Sequence, residues 1–168
     1  MINYNFLNDS FLAFAHRGGK DFGPENSFKS FKCAYEIGYK YLETDVHLSK
    51  DGYLVAFHDE SLDRVTNKSG LIRDLNLSDI KKAKIDNIEE IPLLIDLLDN
   101  LSECFFNIDC KSDDTVIPLI NLIKKYSLID RVCIGSFSQK RINFIRKSLG
   151  PRVKTSMGPY EILFAKIL

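Results

Sequence analysis

The sequence predicts a parallel α/β fold of the TIM-type (β/α)8 barrel class. Short apolar runs alternate with segments of helical periodicity along the chain, which is the pattern of strand–helix units in a parallel sheet. An open doubly wound sheet fits the same alternation. The barrel is favoured because ionisable residues stand at the carboxyl ends of several strands, where barrels build their active sites. In addition, no Gly-x-Gly-x-x-Gly follows the first strand, as a dinucleotide-binding sheet would require.

The predicted strands and the first helices each have a local reason in the sequence. Six apolar or alternating runs predict strands over residues 11–15, 41–48, 53–57, 104–110, 131–136 and 153–157. A helix begins at Asn26, because its side chain can cap the free N–H groups of a first turn, and it ends at Gly38. Asp51-Gly52 is read as a turn. Within the polar stretch 59–87, a short helix is predicted over residues 78–83, with Ser78 as its cap.

The later helices follow from apolar periodicity and from proline and glycine. One begins at Ile91-Pro92, with the proline in its first turn and leucines on one face. Two more are predicted over residues 115–126 and 139–149, and Gly150-Pro151 ends the second. Residues 160–168 begin another helix.

The length of the chain conflicts with a complete barrel. A barrel typically needs about 250 residues, whereas this chain has 168 residues. We therefore expect a C-terminally incomplete barrel that lacks about the last two strand–helix units, with residues 11–168 as the domain and residues 1–10 as an N-terminal extension. The alternative is a short protein that closes its barrel by pairing with a second copy.

Composition narrows the class of protein. The 23 basic residues balance the 23 acidic ones, so nothing predicts binding to nucleic acid or to an anionic membrane. No apolar run approaches the roughly 20 residues of a membrane span, and the N-terminus lacks the basic flank of a signal peptide. None of the four cysteines forms a Cys-x-x-Cys pair. Buried, reduced thiols and a cytoplasmic location are therefore expected.

All three histidines lie between residues 16 and 58, together with ordered acidic residues. Glu43 and Asp45 are two residues apart on a predicted strand, so they share one face. If that face is the barrel interior, a divalent cation would offset the cost of burying them, and hard oxygen ligands suit Mg²⁺ or Ca²⁺. The competing interpretation is a solvated strand that carries two exposed acids.

Further ionisable side chains end other predicted strands. Asp109 and Lys111 share a face in the same way, although a surface ion pair would give the same pattern. His16 and His58 can supply a general acid and a general base near neutral pH, or they can be hydrogen-bonded structural residues. Arg17 offers a planar fork of donors that suits phosphate oxygens.

The order of these motifs resembles the glycerophosphodiester phosphodiesterase family. That family has a strand ending in His-Arg-Gly, then Pro-Glu-Asn, Glu-x-Asp, Thr/Ser-x-Asp-Gly and His-Asp. The counterparts here are His16-Arg17-Gly18, Pro24-Glu25-Asn26, Glu43-x-Asp45, Ser49-Lys50-Asp51-Gly52 and His58-Asp59, and Arg64-Val65-Thr66 with Gly70 continues the pattern. The match is strong from Ala13 to about Gly70 and looser beyond it.

The resemblance implies a barrel and a role for each of these residues. It implies one divalent cation held by Glu43, Asp45 and Asp109, although the family usually has glutamate at the third position, so Asp109 can also act through water. It implies phosphate contacts from Arg17 and Lys111. It implies that His16 and His58 exchange protons with the attacking and leaving oxygens, in an order that the sequence leaves open, and that the neighbouring glycerol hydroxyl attacks first.

The resemblance also gives secondary roles and a reaction. Glu25 and Asn26 would fix a turn, His47 would line the site or be structural, and Ser136-Phe137 matches a strand-end pair that lines the pocket or packs in the core. The implied reaction is hydrolysis of a small glycerophosphodiester to sn-glycerol 3-phosphate and an alcohol. Two alternatives remain: a phosphodiesterase for another lipid-derived phosphodiester, and a truncated, non-catalytic fragment that binds metal or phosphate.

Overall fold

A sheet with five parallel strands organises the computed structural model, which describes residues 11–167. The predicted extension 1–10 and residue 168 lie outside the described residues. The strands are β1 (Phe14–His16), β2 (Tyr41–Leu48), β3 (Leu54–Ala56), β4 (Lys84–Ile85), β5 (Glu89–Glu90), β6 (Phe105–Cys110), β7 (Val132–Gly135) and β8 (Lys154–Thr155). The helices are α1 (Phe28–Glu36), α2 (Leu77–Ile80), α3 (Leu94–Asn100), α4 (Val116–Lys125), α5 (Gln139–Leu149) and α6 (Pro159–Ala165), with a 3-10 turn over Ile72–Asp74.

The parallel strands lie side by side in the order β1, β2, β6, β7, β8. Their register aligns the carboxyl ends that carry the predicted site. His16 lies opposite Glu43, and Asp45 lies opposite Asp109. Residues that are far apart in sequence therefore meet at one edge of the sheet, as expected for a barrel of this class.

Strand β3 changes the predicted count of barrel strands. The run 53–57 does form a strand, but it pairs antiparallel with β2. Its direction follows from the connection, because a parallel crossover needs a dozen or more residues, whereas Ser49 N already bonds Tyr53 O across the Asp51-Gly52 turn. With five parallel strands in the described residues, a closed barrel would need three more rather than about two.

Several helix boundaries differ from the prediction. Helix α1 is capped by Ser27, whose Oγ accepts from Ser30 N at 3.1 Å, and not by Asn26. Helix α2 begins after Asn76 rather than at Ser78. Helix α3 begins at Leu94 because the Pro92 carbonyl accepts from Ala56 N at 2.9 Å, which keeps that segment extended beside β3.

The predictions for α4 and α5 are confirmed. Both helices have a strong apolar stripe, and their sequences carry clear end signals. Every helix within residues 11–167 is too short or too polar to cross a bilayer.

Two apolar cores support the carboxyl edge of the sheet. The larger lies between the parallel strands and the helices, where the rings of Phe31 and Phe106 are 6.2 Å apart. The smaller lies in the segment between β3 and α3 and contains Val55, Phe57, Leu62, Ile72, Ile80, Ala83, Ile85 and Ile91. The segment that follows His58 is therefore a packed unit rather than the irregular stretch that its polar sequence predicts.

The cysteines agree only in part with the prediction of buried thiols. All four are free, but only Cys104 and Cys110 are buried, whereas Cys33 and Cys133 are partly exposed. Burial raises the pKa of Cys104, Cys110 and Cys133 to about 11 in each case, so these thiols stay protonated at neutral pH.

Candidate active site

One cavity of about 440 Å³ at the carboxyl edge of the sheet brings all the predicted site residues together. The seven are His16, Arg17, Glu43, Asp45, His58, Asp109 and Lys111. They come from the ends of β1 and β6, from the middle of β2 and from the loop after β3. Ser136 and Phe137, which follow β7, line the same cavity.

Glu43 and Asp45 point into the sheet's enclosed side rather than into solvent. Their side chains are 12% and 3% exposed, so the alternative of a solvated strand is wrong. Glu43 accepts a hydrogen bond from the Arg17 backbone N–H at 3.0 Å. Burial, reinforced by the negative charge of Asp45, nevertheless raises the pKa of Glu43 to about 7. The pocket therefore holds more negative charge than its polar neighbours stabilise.

Asp109 and Lys111 also belong to the cavity and do not form a surface pair. Lys111 Nζ lies 2.7 Å from Asp45 Oδ1 and 2.8 Å from Asp109 Oδ2, and its side chain is 17% exposed. Burial alone would lower the pKa of Lys111, but the hydrogen bonds to Asp109 and Asp45 outweigh it and raise the pKa. The ammonium group therefore stays charged between the two carboxylates.

The two histidines differ in exposure and in partners. The His16 side chain is 70% exposed, and its Nε2 lies 3.7 Å from Glu43 Oε2. His58 is more enclosed, and its Nδ1 lies 2.6 Å from Asp59 Oδ1. Because a carboxylate can only accept, Nδ1 of His58 carries the proton and Nε2 is the nitrogen left for other contacts.

Arg17 lies in a turn with strained backbone angles, and the glycine that follows it allows this turn to pack against α1. Its φ is +51°, in the left-handed region that non-glycine residues seldom adopt. The next residue, Gly18, has φ +77°, and a Cβ there would lie 2.4 Å from Ser30 Oγ and 2.9 Å from Phe31 N. Only glycine fits between the turn and α1, which explains the His-Arg-Gly spacing in physical terms.

Asn26 is a site residue whose role the sequence prediction missed. Its φ is +57°, and its side chain donates to Asp45 Oδ2 at 3.2 Å and accepts from Thr44 Oγ1 at 2.9 Å. Through the hydrogen bond to Oδ2, Asn26 orients the Asp45 carboxylate instead of capping α1. The sequence did contain a signal for this role. Ser27, directly after Pro-Glu-Asn, is itself a good cap residue, which leaves the Asn26 side chain available for other contacts.

His47 has a structural role. It is buried, and its Nε2 lies 3.0 Å from the His58 carbonyl oxygen. Burial lowers the pKa of His47, so the ring is neutral at physiological pH. This contact fixes the backbone at His58 and agrees with the predicted lining or structural role.

The charges of the cluster leave room for a divalent cation. Five carboxylates (Glu25, Glu43, Asp45, Asp59 and Asp109) face three permanent cations (Arg17, Arg64 and Lys111) through the contacts of the site. With Glu43 ionised, the whole cluster has a surplus of two negative charges. Within the cavity itself, three carboxylates (Glu43, Asp45 and Asp109) face two cations (Arg17 and Lys111), a surplus of one. In addition, Asp109 Oδ1 and Asn107 Oδ1 are buried without a hydrogen-bond partner.

A hard divalent cation fits that surplus and those oxygens. No set of three or more His, Cys, Asp or Glu side chains within residues 11–167 is already arranged as a metal site. Lys111 Nζ contacts one oxygen of Asp45 and one oxygen of Asp109, so a cation that bound these same two oxygens would have to displace it.

Comparison with known proteins identifies relatives of this chain. Residues 16–156 match the model of the glycerophosphoryl diester phosphodiesterase family. The chain is 37% identical over 153 residues to a probable glycerophosphodiester phosphodiesterase 2 of Mycobacterium tuberculosis, covering 90% of this chain and 58% of the relative. It is 36% identical over 160 residues to a glycerophosphodiester phosphodiesterase of Caldanaerobacter subterraneus, covering 87% and 65% respectively.

Solved structures give the same result for the fold. A phosphodiesterase from Oleispira antarctica, solved in complex with the product sn-glycerol-3-phosphate, superposes with a TM-score of 0.77 at 28% identity. The match covers 86% of this chain and 64% of that one. The fold is thus the TIM-type barrel of these proteins, and the chain spans less than two thirds of the length of the relatives named above. The chain belongs to the glycerophosphoryl diester phosphodiesterase family.

Proposed function

We propose that this chain carries the active centre of a metal-dependent phosphodiesterase that hydrolyses glycerophosphodiesters to sn-glycerol 3-phosphate and an alcohol. The observation that carries the proposal is the single cavity lined by two histidines, two cations and three carboxylates. The product bound by the Oleispira antarctica phosphodiesterase supports the choice of substrate.

Glu43, Asp45 and Asp109 are the residues that would hold one divalent cation, Mg²⁺ or Ca²⁺. When bound, such an ion supplies positive charge that stabilises the developing charge on a phosphoryl oxygen. Asn26 holds the Asp45 carboxylate in place for this purpose through the 3.2 Å hydrogen bond. Burial raises the pKa of Glu43 to about 7 in the cation-free protein, and a bound cation would lower that pKa by favouring the ionised form.

Arg17 and Lys111 are the donors proposed for the substrate phosphate. Arg17 Nε is buried, lies 3.6 Å from Asp45 Oδ2 and makes no hydrogen bond to the described residues. A donor without a partner in a cavity is costly unless a ligand accepts from it. Lys111 lines the same cavity as Arg17. If a bound cation replaces its contacts with Asp45 and Asp109, its ammonium group is available as a second donor to the phosphate.

His16 and His58 move the protons in this proposal. One removes the proton from the neighbouring glycerol hydroxyl as its oxygen bonds to phosphorus, and the other donates a proton to the alkoxide that leaves as the bond from phosphorus to the alcohol breaks. A water molecule then opens the cyclic phosphodiester to give sn-glycerol 3-phosphate. The Asp59 carboxylate fixes the ring of His58 through Nδ1. His16, at the exposed mouth, has no comparable anchor among residues 11–167, and the order of the two roles stays open.

A second candidate is hydrolysis of a lysophospholipid, and the rim of the cavity favours it. Phe137 is 87% exposed and Met157 is 49% exposed, and both line the cavity with Ile162. An apolar rim beside a phosphate site suits an acyl chain. The two substrates differ only in the group attached to the glycerol.

A hydrolysis assay tests the proposal. The purified 168-residue chain is incubated with glycerophosphocholine and Mg²⁺ or Ca²⁺, and sn-glycerol 3-phosphate and choline are measured, with lysophosphatidylcholine run in parallel. We expect metal-dependent product formation that excess chelator stops, and loss of activity in a chain carrying both His16→Ala and His58→Ala. Absence of metal-dependent hydrolysis of either substrate by folded protein would refute the enzyme assignment and leave the non-catalytic alternative.

A further inference from the structure

The Arg64 side chain connects two carboxylates, Asp59 in the loop after β3 and Glu25 in the turn before α1. Its Nε and Nη2 donate to Asp59, at 2.5 and 3.1 Å. Its Nη1 and Nη2 donate to Glu25, at 3.2 and 2.5 Å. One guanidinium group thus makes four contacts with two side chains that are 34 residues apart in the sequence. Such a fork is geometrically demanding, and a lysine cannot reproduce it.

Each of these carboxylates holds a residue of the cavity. Asp59 accepts from His58 Nδ1 at 2.6 Å, and Glu25 accepts from Arg17 Nη1 at 3.2 Å. A continuous chain of hydrogen bonds therefore runs from His58 through Asp59, Arg64 and Glu25 to Arg17. Both ends of the chain line the cavity, whereas Arg64 itself does not.

The charges of this chain are consistent with a rigid arrangement. The hydrogen bond from Arg64 lowers the pKa of Asp59 to about 2. Burial of Glu25 would raise its pKa, but the hydrogen bond and charge of Arg64, together with Arg17, outweigh it and lower the pKa. Both carboxylates are thus ionised acceptors at neutral pH, so His58 Nδ1 and Arg17 Nη1 always have a partner.

The position of Arg64 is set outside the parallel sheet. Its turn is closed by Thr66, whose N–H and Oγ1 both donate to the Leu62 carbonyl, at 3.2 and 2.8 Å. Leu62 is buried in the smaller core, and Val65 packs against that core. The smaller core therefore fixes the turn that carries Arg64, and from this turn Arg64 reaches Glu25, which precedes α1.

We propose that Arg64 is a positioning residue that sets the ring orientation of His58 and the fork of Arg17 together. This inference rests on the proposed function, since it concerns the same His58 and Arg17. The competing interpretation is a surface ion pair of the ordinary kind, because the Arg64 side chain is 48% exposed. Exposed pairs contribute little to stability, so removing Arg64 is expected to leave the fold intact.

The test compares Arg64→Met with wild type and with Arg152→Met. Arg152 also forms an exposed pair, with Asp130, but neither residue lines the cavity. We expect Arg64→Met to lower kcat/KM for glycerophosphocholine by about 10–100-fold, the usual effect of losing a group that orients a site residue, and Arg152→Met to have the wild-type value. A value for Arg64→Met within about threefold of wild type would overturn the inference.

A second readout does not depend on activity. The Nδ1–H proton of His58, assigned by its absence in His58→Gln, should give a protected NMR signal in wild type and Arg152→Met. It should exchange and disappear in Arg64→Met, and persistence of the signal there would contradict the inference. If wild type hydrolyses no glycerophosphocholine, the proposed function fails, and this signal alone decides the role of Arg64. If Arg64→Met does not fold, Arg64→Lys is measured by the same criteria.

Discussion

Replacing Glu43 with glutamine should stabilise the cation-free protein at alkaline pH, contrary to the usual effect of changing a buried site residue. The pKa of Glu43 rises from 4.5 to about 7 in the folded chain, chiefly through burial. Between these two pH values the folded state binds a proton that the unfolded state has released. The free energy of unfolding of the wild type therefore falls as the pH rises from 4.5 to 7.

The size of the effect follows from the size of that change. Each pH unit of pKa change corresponds to about 1.4 kcal/mol, which gives about 3 kcal/mol above pH 7. This is an upper value, because the Glu43 side chain keeps 12% of its exposure. Glutamine has no proton to lose, and its amide oxygen can still accept the hydrogen bond from Arg17 N–H. We therefore expect the Glu43→Gln variant to gain about 1–3 kcal/mol at pH 8.

Urea unfolding with chelator and reductant at pH 4.5 and pH 8, followed by far-UV circular dichroism, measures this difference. The two proteins should have similar free energies of unfolding at pH 4.5, and the variant should be the more stable at pH 8. Other titrating groups are common to both proteins and cancel in the comparison. If the variant is less stable than wild type at pH 8, the claim that burial raises the pKa of Glu43 is refuted. The same holds if the difference in free energy of unfolding between the two proteins is equal at both pH values.

Three further predictions concern catalysis, carboxylate orientation and the core. His16→Ala or His58→Ala should lower turnover of glycerophosphocholine by about 10²–10⁴-fold, and wild-type turnover in either variant would remove that residue's role. Asn26→Ala breaks two buried hydrogen bonds and should lower the free energy of unfolding in urea by about 1–3 kcal/mol. The same variant should bind calcium more weakly in calorimetry, and unchanged binding would show that Asn26 does not orient Asp45. Phe106→Ala should destabilise the fold by about 3–5 kcal/mol, and a loss below about 1 kcal/mol would contradict its place in the larger core.

The strand ends were predictable from sequence because a charged residue at the end of an apolar run marks the point where a buried strand leaves the core. The spacing of Glu43 and Asp45 fixed a shared face, and the parallel register of β2 and β6 then placed Asp109 beside Asp45. Helices α4 and α5 were predictable because their periodicity and end signals agree. Alternation along a strand and periodicity along a helix each determine which face is buried, so these features can be predicted from the local sequence.

The missed features depend on contacts between distant parts of the chain. Asn26 was predicted as a cap because that is what its local sequence favours, whereas its partner Asp45 lies 19 residues away. Arg64 reaches Glu25 across 39 residues. The direction of β3, in contrast, was available from the sequence, because only residues 49–52 join the two predicted strands and a parallel crossover needs a dozen or more residues. Neither of the other two outcomes follows from propensity or periodicity alone.

Direct titration of the protein with Mg²⁺ or Ca²⁺ by isothermal calorimetry tests the central claim that the cavity carboxylates Glu43, Asp45 and Asp109 form a cation site. Wild type should bind one cation per chain, and Asp45→Asn should bind it at least about tenfold more weakly, as expected when a ligand and one of the surplus charges are lost. No binding by folded wild type, or unchanged binding by the variant, would contradict the claim.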